Sequence, residues 1–299
     1  MLHMKNNELG QFIPMHYHYQ MLTDDFRMEA FKNAIKKVVK PNDNVVELGS
    51  GTGIMSFLAA KQGANVWAVE FNPTLAAASR KFIKDNELSD RVKVINGDAS
   101  TWLPPEPADV VICEMLHSAL LREKQIQVIE AFRDSHYKRF GKIPVMIPNA
   151  TILAVQPVYQ KYDFYGYYAP VSLFQSPYHK DDNIFEVDPQ VYKIVDYSES
   201  NNDTYDSDIY FNFKKDTSVN AIKFITKSLL SMDFYTGETV DWYSQNLVLP
   251  LYETLEIKEN QIMNLNFSYN PGDSIEKLNN SINYGVVESV EKLKLVMSA

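Results

Sequence analysis

In Val45-Val46-Glu47-Leu48-Gly49-Ser50-Gly51-Thr52-Gly53-Ile54, an acidic residue comes just before three glycines that alternate with small side chains. Glycine suits such a loop because the backbone must turn tightly and let a ligand approach where a Cβ would block it. Glu70 ends a second apolar run, Asn65-Val66-Trp67-Ala68-Val69-Glu70, about twenty residues past the loop. A carboxylate there can accept hydrogen bonds from both hydroxyls of a ribose. Asp98 follows a third run in Ile95-Asn96-Gly97-Asp98-Ala99 and is suited to grip an adenine amino group. A G-x-G-x-G loop alone fits several kinds of nucleotide-binding enzyme. Any one of these acids alone reads as a solvated loop carboxylate. Acids at three successive strand ends point together to a ligand bearing ribose and adenine.

A second group has different chemistry. Glu114 closes the run Ala108-Asp109-Val110-Val111-Ile112-Cys113, and Glu123 follows nine residues later. Two carboxylates brought into one pocket are uncomfortable unless a cation joins them. A guanidinium is the natural guest, being planar, always charged and able to bond each carboxylate through its fork. On spacing alone, the favoured reading of Glu123 is instead the N-terminal acid of the following helix, where the helix dipole stabilises it.

The elements that must position these residues fall into two textures. From Asp24 to about Pro148, short apolar runs alternate with helical patterns, which predicts an α/β unit with a parallel sheet. Thr23 or Asp24 can cap a helix through Phe26, Phe31, Ile35 and Val38. Further helices are predicted over Ile54–Gln62 with Gly63 as stop, from Pro73 to about Asn86, and from Lys124 to about Tyr137. Lys142–Pro148 reads as a fifth strand with proline at an edge or bend. Beyond it, Thr151–Gln156, Ala221–Ile225 and Gln245–Leu251 read as strands between turn-rich stretches such as Asp181-Asp182-Asn183 and Ser200–Asp203. That pattern predicts an all-β second domain, sandwich or barrel. Residues 1–148 are thus assigned to a ligand-binding domain and 149–299 to a barrel-like substrate or interaction domain. The cluster Tyr162-Asp163-Phe164-Tyr165-Gly166-Tyr167-Tyr168 reads as core or interface packing ahead of a binding surface.

At 299 residues, with 45% hydrophobic and 22% charged residues, the chain has the composition of a globular protein. A formal net charge of −9 argues against broad nucleic-acid binding and for weak attraction to a basic partner. No apolar run is long enough to span a bilayer, and the first residues lack a signal-peptide core. Cys113 is the single cysteine, so no disulfide framework or cysteine zinc cluster is expected, and a cytoplasmic location is.

The acid placed just before the first glycine resembles the class I S-adenosylmethionine-dependent methyltransferases; dehydrogenases usually keep an apolar residue there. Within that class, Glu114 and Glu123 resemble the double-glutamate loop of the protein arginine methyltransferases, which spaces its glutamates the same way. The segment His18-Tyr19-Gln20-Met21-Leu22-Thr23-Asp24-Asp25-Phe26-Arg27 carries the family's histidine, Met-Leu, aspartate and arginine at the same offsets. Asp241-Trp242-Tyr243 looks like its Thr-His-Trp loop.

The resemblance implies S-adenosylmethionine as methyl donor, held by His18, Met21, Arg27, Glu47, Gly49, Gly51, Thr52, Gly53, Glu70, Asp98 and Ala99. Arg27 would pair with the donor's carboxylate, and Met21 would lie near its sulfonium. Glu114, Glu123, Asp24 and Trp242 would serve catalysis, no metal is needed, and a homodimer is implied. The methyl acceptor, in a protein or a small molecule, would present nitrogen. A small-molecule methyltransferase of the same fold and a non-catalytic cofactor-binding scaffold are the alternatives. The departures are Met115 and His117 in place of tryptophan and glycine, Arg122 beside Glu123, and a missing Tyr-Phe-x-x-Tyr helix near Phe12. The most consequential is Asp241, which stands where the family's histidine pairs with an aspartate matching Asp24. Two acids there would repel, leaving His18 or His117 as substitutes.

Overall fold

The computed structural model describes residues 13, 15–178, 187–201, 204–233 and 235–287. Phe12, the turn at Asp181–Asn183 and the end of the turn at Ser200–Asp203 lie outside them. The chain opens with α1 (Met15–Leu22) and α2 (Asp25–Val38). Asp24 caps α2, its Oδ1 accepting the Arg27 backbone N–H at 3.0 Å. The α/β unit follows as β1 (Asn44–Leu48), α3 (Ile54–Lys61), β2 (Asn65–Glu70), α4 (Pro73–Asp85), β3 (Val92–Asn96), β4 (Val110–Cys113), α5 (Gln125–Phe140) and β5 (Val145–Ile147). Its strands pair in parallel in the order β3-β2-β1-β4-β5.

Local chemistry sets the boundaries. Asn72 accepts the N–H of Thr74 at 2.9 Å, and Pro73 stands in the first turn of α4, where its missing N–H costs nothing. Helix α5 runs past the expected end at Tyr137 because the first residue able to take the left-handed cap is Gly141, at φ 68°. Val45, Val46 and Leu48 are all buried, as a central parallel strand covered on both faces requires. The strand order reverses between β1 and β4, so their C-terminal ends diverge and leave a crevice there.

The second half is antiparallel. Strands β6 (Ala150–Val158), β7 (Asp163–Phe164), β8 (Tyr167–Tyr168), β9 (Leu173–Gln175), β10 (Gln190–Asp196), β11 (Tyr205–Asn212), β12 (Thr217–Met232), β13 (Thr239–Tyr243), β14 (Asn246–Ile257), β15 (Ile262–Tyr269) and β16 (Asn283–Val287) accompany one short helix, α6 (Ile275–Ser281). One sheet runs β10-β6-β12-β14-β9 with β13 on β12; β11-β15-β16 forms another and β7-β8 a third. These are separate sheets rather than one closed ladder among the described residues. Phe224 of the first sheet meets Phe267 of the second at 5.2 Å between ring centroids, inside a shared aromatic core. One buried cluster runs from Phe31 and Val46 through Phe224 to Tyr269, so both halves share a core. The aromatic cluster splits: Tyr162 is buried, while Phe164, Tyr165, Tyr167 and Tyr168 are exposed on the β7–β8 hairpin.

Candidate active site

The C-terminal ends of β1, β2 and β4, with the turn after β3, open into one cavity of about 220 Å3. His18, Met21, Arg27, Glu47, Gly49, Gly51 and Thr52 line it, together with Glu70, Asp98, Ala99, Glu114 and Glu123. Gly53, Asp24 and Trp242 are not part of its lining.

Around the glycine loop, each acid is tied to backbone. Gly49, Gly51 and Gly53 take φ of 72°, 54° and 85°, which only glycine adopts without strain. Gly51 also has no room for a side chain, since a Cβ would sit 2.8 Å from His18 Cε1. Gly51 N–H donates to Glu70 Oε2 at 2.8 Å, and Asn72 N–H to Glu70 Oε1 at 2.7 Å. Glu47 Oε2 accepts the Ser56 N–H at 2.8 Å and the Ser56 hydroxyl, fixing the first turn of α3. Burial pushes the Glu47 carboxyl up to about 7, against the Ser56 bonds, with the charge of Glu70 adding to the rise. Asp98 Oδ1 accepts from Ser100 N at 2.9 Å and Ser100 Oγ at 2.6 Å. The buried imidazole of His18 is held below its usual range by burial and then by the charge of Arg27.

Arg27 joins the two groups. It is buried, and its Nη2 is ion-paired with Glu114 Oε2. Burial lowers its pKa to about 10 against the attraction of Glu123 and Asp24. Its guanidinium lies 5.7 Å from the Trp242 ring centroid. Its Nε has no hydrogen-bond partner among the described residues, and neither has His18 Nε2 or Ser50 Oγ, all three buried. Buried donors are rarely left so. These orphaned atoms beside a glycine cradle fit a ligand bearing a carboxylate and hydroxyls. The cation that reaches Glu114 is therefore Arg27, from helix α2, rather than Arg122 on the paired-acid loop itself.

Glu123 is pushed up to about 7 by burial, against the charges of Arg27 and then Arg122. The loop that carries it is strained: Ala119, Leu120 and Arg122, none of them glycine, have φ of 55°, 54° and 62°. The second half holds it in place. Ala119 N–H donates to Thr226 Oγ1 at 2.7 Å, and Tyr269 OH to Ala119 O at 2.9 Å. Gly272 N–H donates to Leu120 O, and Arg122 N–H to Asp273 O, each at 2.8 Å. Behind Glu114, Met115 N–H donates to Gln125 Oε1 at 3.0 Å, Gln125 Nε2 to Tyr197 OH at 2.7 Å, and Tyr197 OH lies 2.8 Å from Thr151 Oγ1. Most of these ties carry no local sequence signal, because their partners are remote in the chain.

Asp24 is engaged as the α2 cap. Asp241 does not face it as a bare charge: its Oδ2 pairs with Lys227 Nζ at 2.6 Å. Trp242 is buried against Phe31 and Arg27, its Nε1 unpartnered. The ring of His117 is turned to Phe174, 5.6 Å away, and lies outside the cavity wall.

Residues 45–135 match a sequence family described as a methyltransferase domain. An uncharacterized protein of Methanocaldococcus jannaschii is 32% identical over 264 residues, 88% of this chain and 95% of that protein. The arginine N(omega)-methyltransferase of Streptomyces achromogenes is 32% identical over 143 residues, 46% of this chain and 38% of its own length. That match spans well under half of the named enzyme. Among solved structures, the Trypanosoma brucei PRMT1 enzyme–prozyme heterotetrameric complex with AdoHcy aligns at a TM-score of 0.69 and 17% identity, covering 90% of this chain and 96% of that one.

Proposed function

We propose that this chain, an S-adenosylmethionine-dependent methyltransferase that resembles the protein arginine methyltransferases, takes a guanidinium nitrogen as its acceptor. One observation carries this reading: the glycine loop with its acids and the pair Glu114 and Glu123 line a single cavity. Glu70 and Asp98 would receive the donor's ribose and adenine. The unpartnered Nε of Arg27 would receive its carboxylate while Nη2 keeps Glu114 in position. Thr52, Ala99 and Met21 would line the donor's remaining length, and Gly53 would let α3 start beneath it.

The donor supplies a methyl carbon on a sulfonium; the C–S electron pair stays with sulfur as the nitrogen lone pair forms the new C–N bond. The chain's own residues mainly align and hold the reactants. Glu114 and Glu123 would grip a guanidinium through its fork, orienting the attacking nitrogen. Glu123, with its carboxyl near neutral range, is placed to take the proton that nitrogen releases. Asp24 and Trp242 would act on Arg27, by capping its helix and by packing against its guanidinium, rather than on the acceptor.

Residues 1–148 would bind the donor, while 149–299 would brace the acceptor loop and offer the exposed β7–β8 aromatics to a second copy in a homodimer. Among the described residues no helix is long and apolar enough to cross a membrane; with that, a cytoplasmic location is proposed. Labelled S-adenosylmethionine incubated with the protein and a lysate tests the reading. Label is expected on arginine side chains or on small guanidines. Label confined to oxygen or carbon acceptors would overturn it.

A further inference from the structure

We propose, resting on the reading of Glu114 and Glu123 as a guanidinium slot, that Arg122 and Lys124 make this slot selective for a guanidine that carries its own carboxylate. The favoured acceptor is then a free amino acid rather than an arginine within a polypeptide.

Both cations line the same cavity as the glutamates, and both are exposed at its rim. Neither side chain forms an ion pair or hydrogen bond among the described residues. Charges face Arg122 from three elements: Glu123 on its own loop, His117 before the turn at Ser118–Leu120, and Glu276 on α6. None approaches closely enough to pair with it. An acceptor with only positive charge would meet two like charges flanking Glu123. An acceptor with a carboxylate beyond its guanidinium would meet two donors, one of them a fork that matches a carboxylate.

The direction of Arg122 is built into the backbone. Its φ of 62° is left-handed, a conformation that a non-glycine residue takes only when held there, and its side chain lines the cavity. The hydrogen bond from Arg122 N–H to Asp273 O, with that from Gly272 N–H to Leu120 O, holds this left-handed geometry from the second half. A residue that merely solvates the surface needs no such bracing, and strain maintained by surrounding structure gathers where a side chain must be aimed.

The test measures methyl transfer from labelled S-adenosylmethionine to three acceptors: L-arginine, agmatine, which lacks the carboxylate, and a peptide with internal arginine. L-arginine is expected to have a KM at least about tenfold below agmatine, as one charge-assisted hydrogen bond would give. Arg122→Gln is expected to raise the KM for L-arginine about tenfold with little change in kcat or in agmatine transfer. Lys124→Gln acts in the same direction and more weakly. Both positions are exposed, so folding is preserved, and Arg122→Lys recovers part of the preference. Equal use of agmatine, preferred use of the peptide, or an unchanged arginine-to-agmatine ratio in both Gln variants overturns the proposal. In those outcomes, transfer that still depends on Glu123 leaves the guanidinium reading standing. No transfer to any of the three overturns both.

Discussion

The glycine loop and the acidic loop line one cavity, and both contain left-handed residues. In the glycine loop these are Gly49, Gly51 and Gly53; in the acidic loop they are Ala119, Leu120 and Arg122. The first pays no steric cost, and its partners Glu47 and Glu70 lie on the adjoining strands. The second carries on the order of 1–2 kcal/mol per residue of left-handed strain and is held by Thr226, Tyr269, Gly272 and Asp273 from the other half. The glycine-loop part of the cavity, proposed to hold the donor, is thus written locally. The acidic-loop part, proposed to hold the acceptor, exists only once the whole chain has folded.

Four substitutions and one titration press on that contrast. The largest effect is expected from Glu123→Gln, with kcat/KM falling on the order of 10²–10³-fold and cofactor affinity unchanged by calorimetry. Coupled loss of both would dissolve the division between the two sides. Next, Gly51→Ala puts a residue with a Cβ at a left-handed φ of 54° and drives that Cβ against the His18 ring. Cofactor Kd should rise at least about tenfold, with circular dichroism retained; normal binding would show that His18 does not close the loop.

Thr226→Val leaves the Ala119 N–H buried without a partner, at about 1–3 kcal/mol. Because the lesion lies on the acceptor side, acceptor KM should rise several-fold while cofactor titrations stay unchanged. If cofactor binding falls equally, the bracing belongs to the fold in general. The pH profile follows from Glu123, whose carboxyl stands near 7. Only its ionised form grips a cation, so kcat/KM should rise with pH through about 7 and fall below it, and Glu123→Gln should flatten that limb.

The smallest effect concerns Glu47. Its folded pKa is raised from 4.5 to about 7, so its contribution to stability is fully present below 4.5 and is lost as pH rises through 7. Denaturant unfolding should show that slope in the parent protein and not in Glu47→Gln, which keeps an oxygen for the Ser56 N–H. A slope unchanged by the substitution would place the titration elsewhere.

The same contrast explains what the sequence makes legible. Strands β1 to β5 announce themselves as apolar runs, and Asp24, Pro73 and Gly63 mark helix ends through chemistry confined to a few neighbours. Glu47, Glu70 and Asp98 line one cavity because the parallel topology gathers strand ends. The ties from those acids to Ser56, Gly51 and Ser100 add detail to that arrangement. The engagement of Glu114 by Arg27, 87 positions away, and of Ala119 by Thr226, 107 positions away, has no local trace. Arg122 was conspicuous as a charge beside Glu123, but its orientation depends on Asp273. Likewise, Asp241 reads as a clash with Asp24 until the pairing of β12 with β13 brings Lys227 beside it.

The hydrogen bond from Tyr269 to the Ala119 carbonyl spans 150 positions, and it bears on how such an enzyme can diverge. The stretch from Glu114 to Glu123 is not a portable cassette. Grafted onto a relative without Thr226, Tyr269 and the Gly272-Asp273 turn, it would relax from its left-handed geometry and point its charges elsewhere. On the proposed reading the inheritable unit of acceptor choice is discontinuous, and a substitution at Gly272 would change specificity from outside the acidic loop.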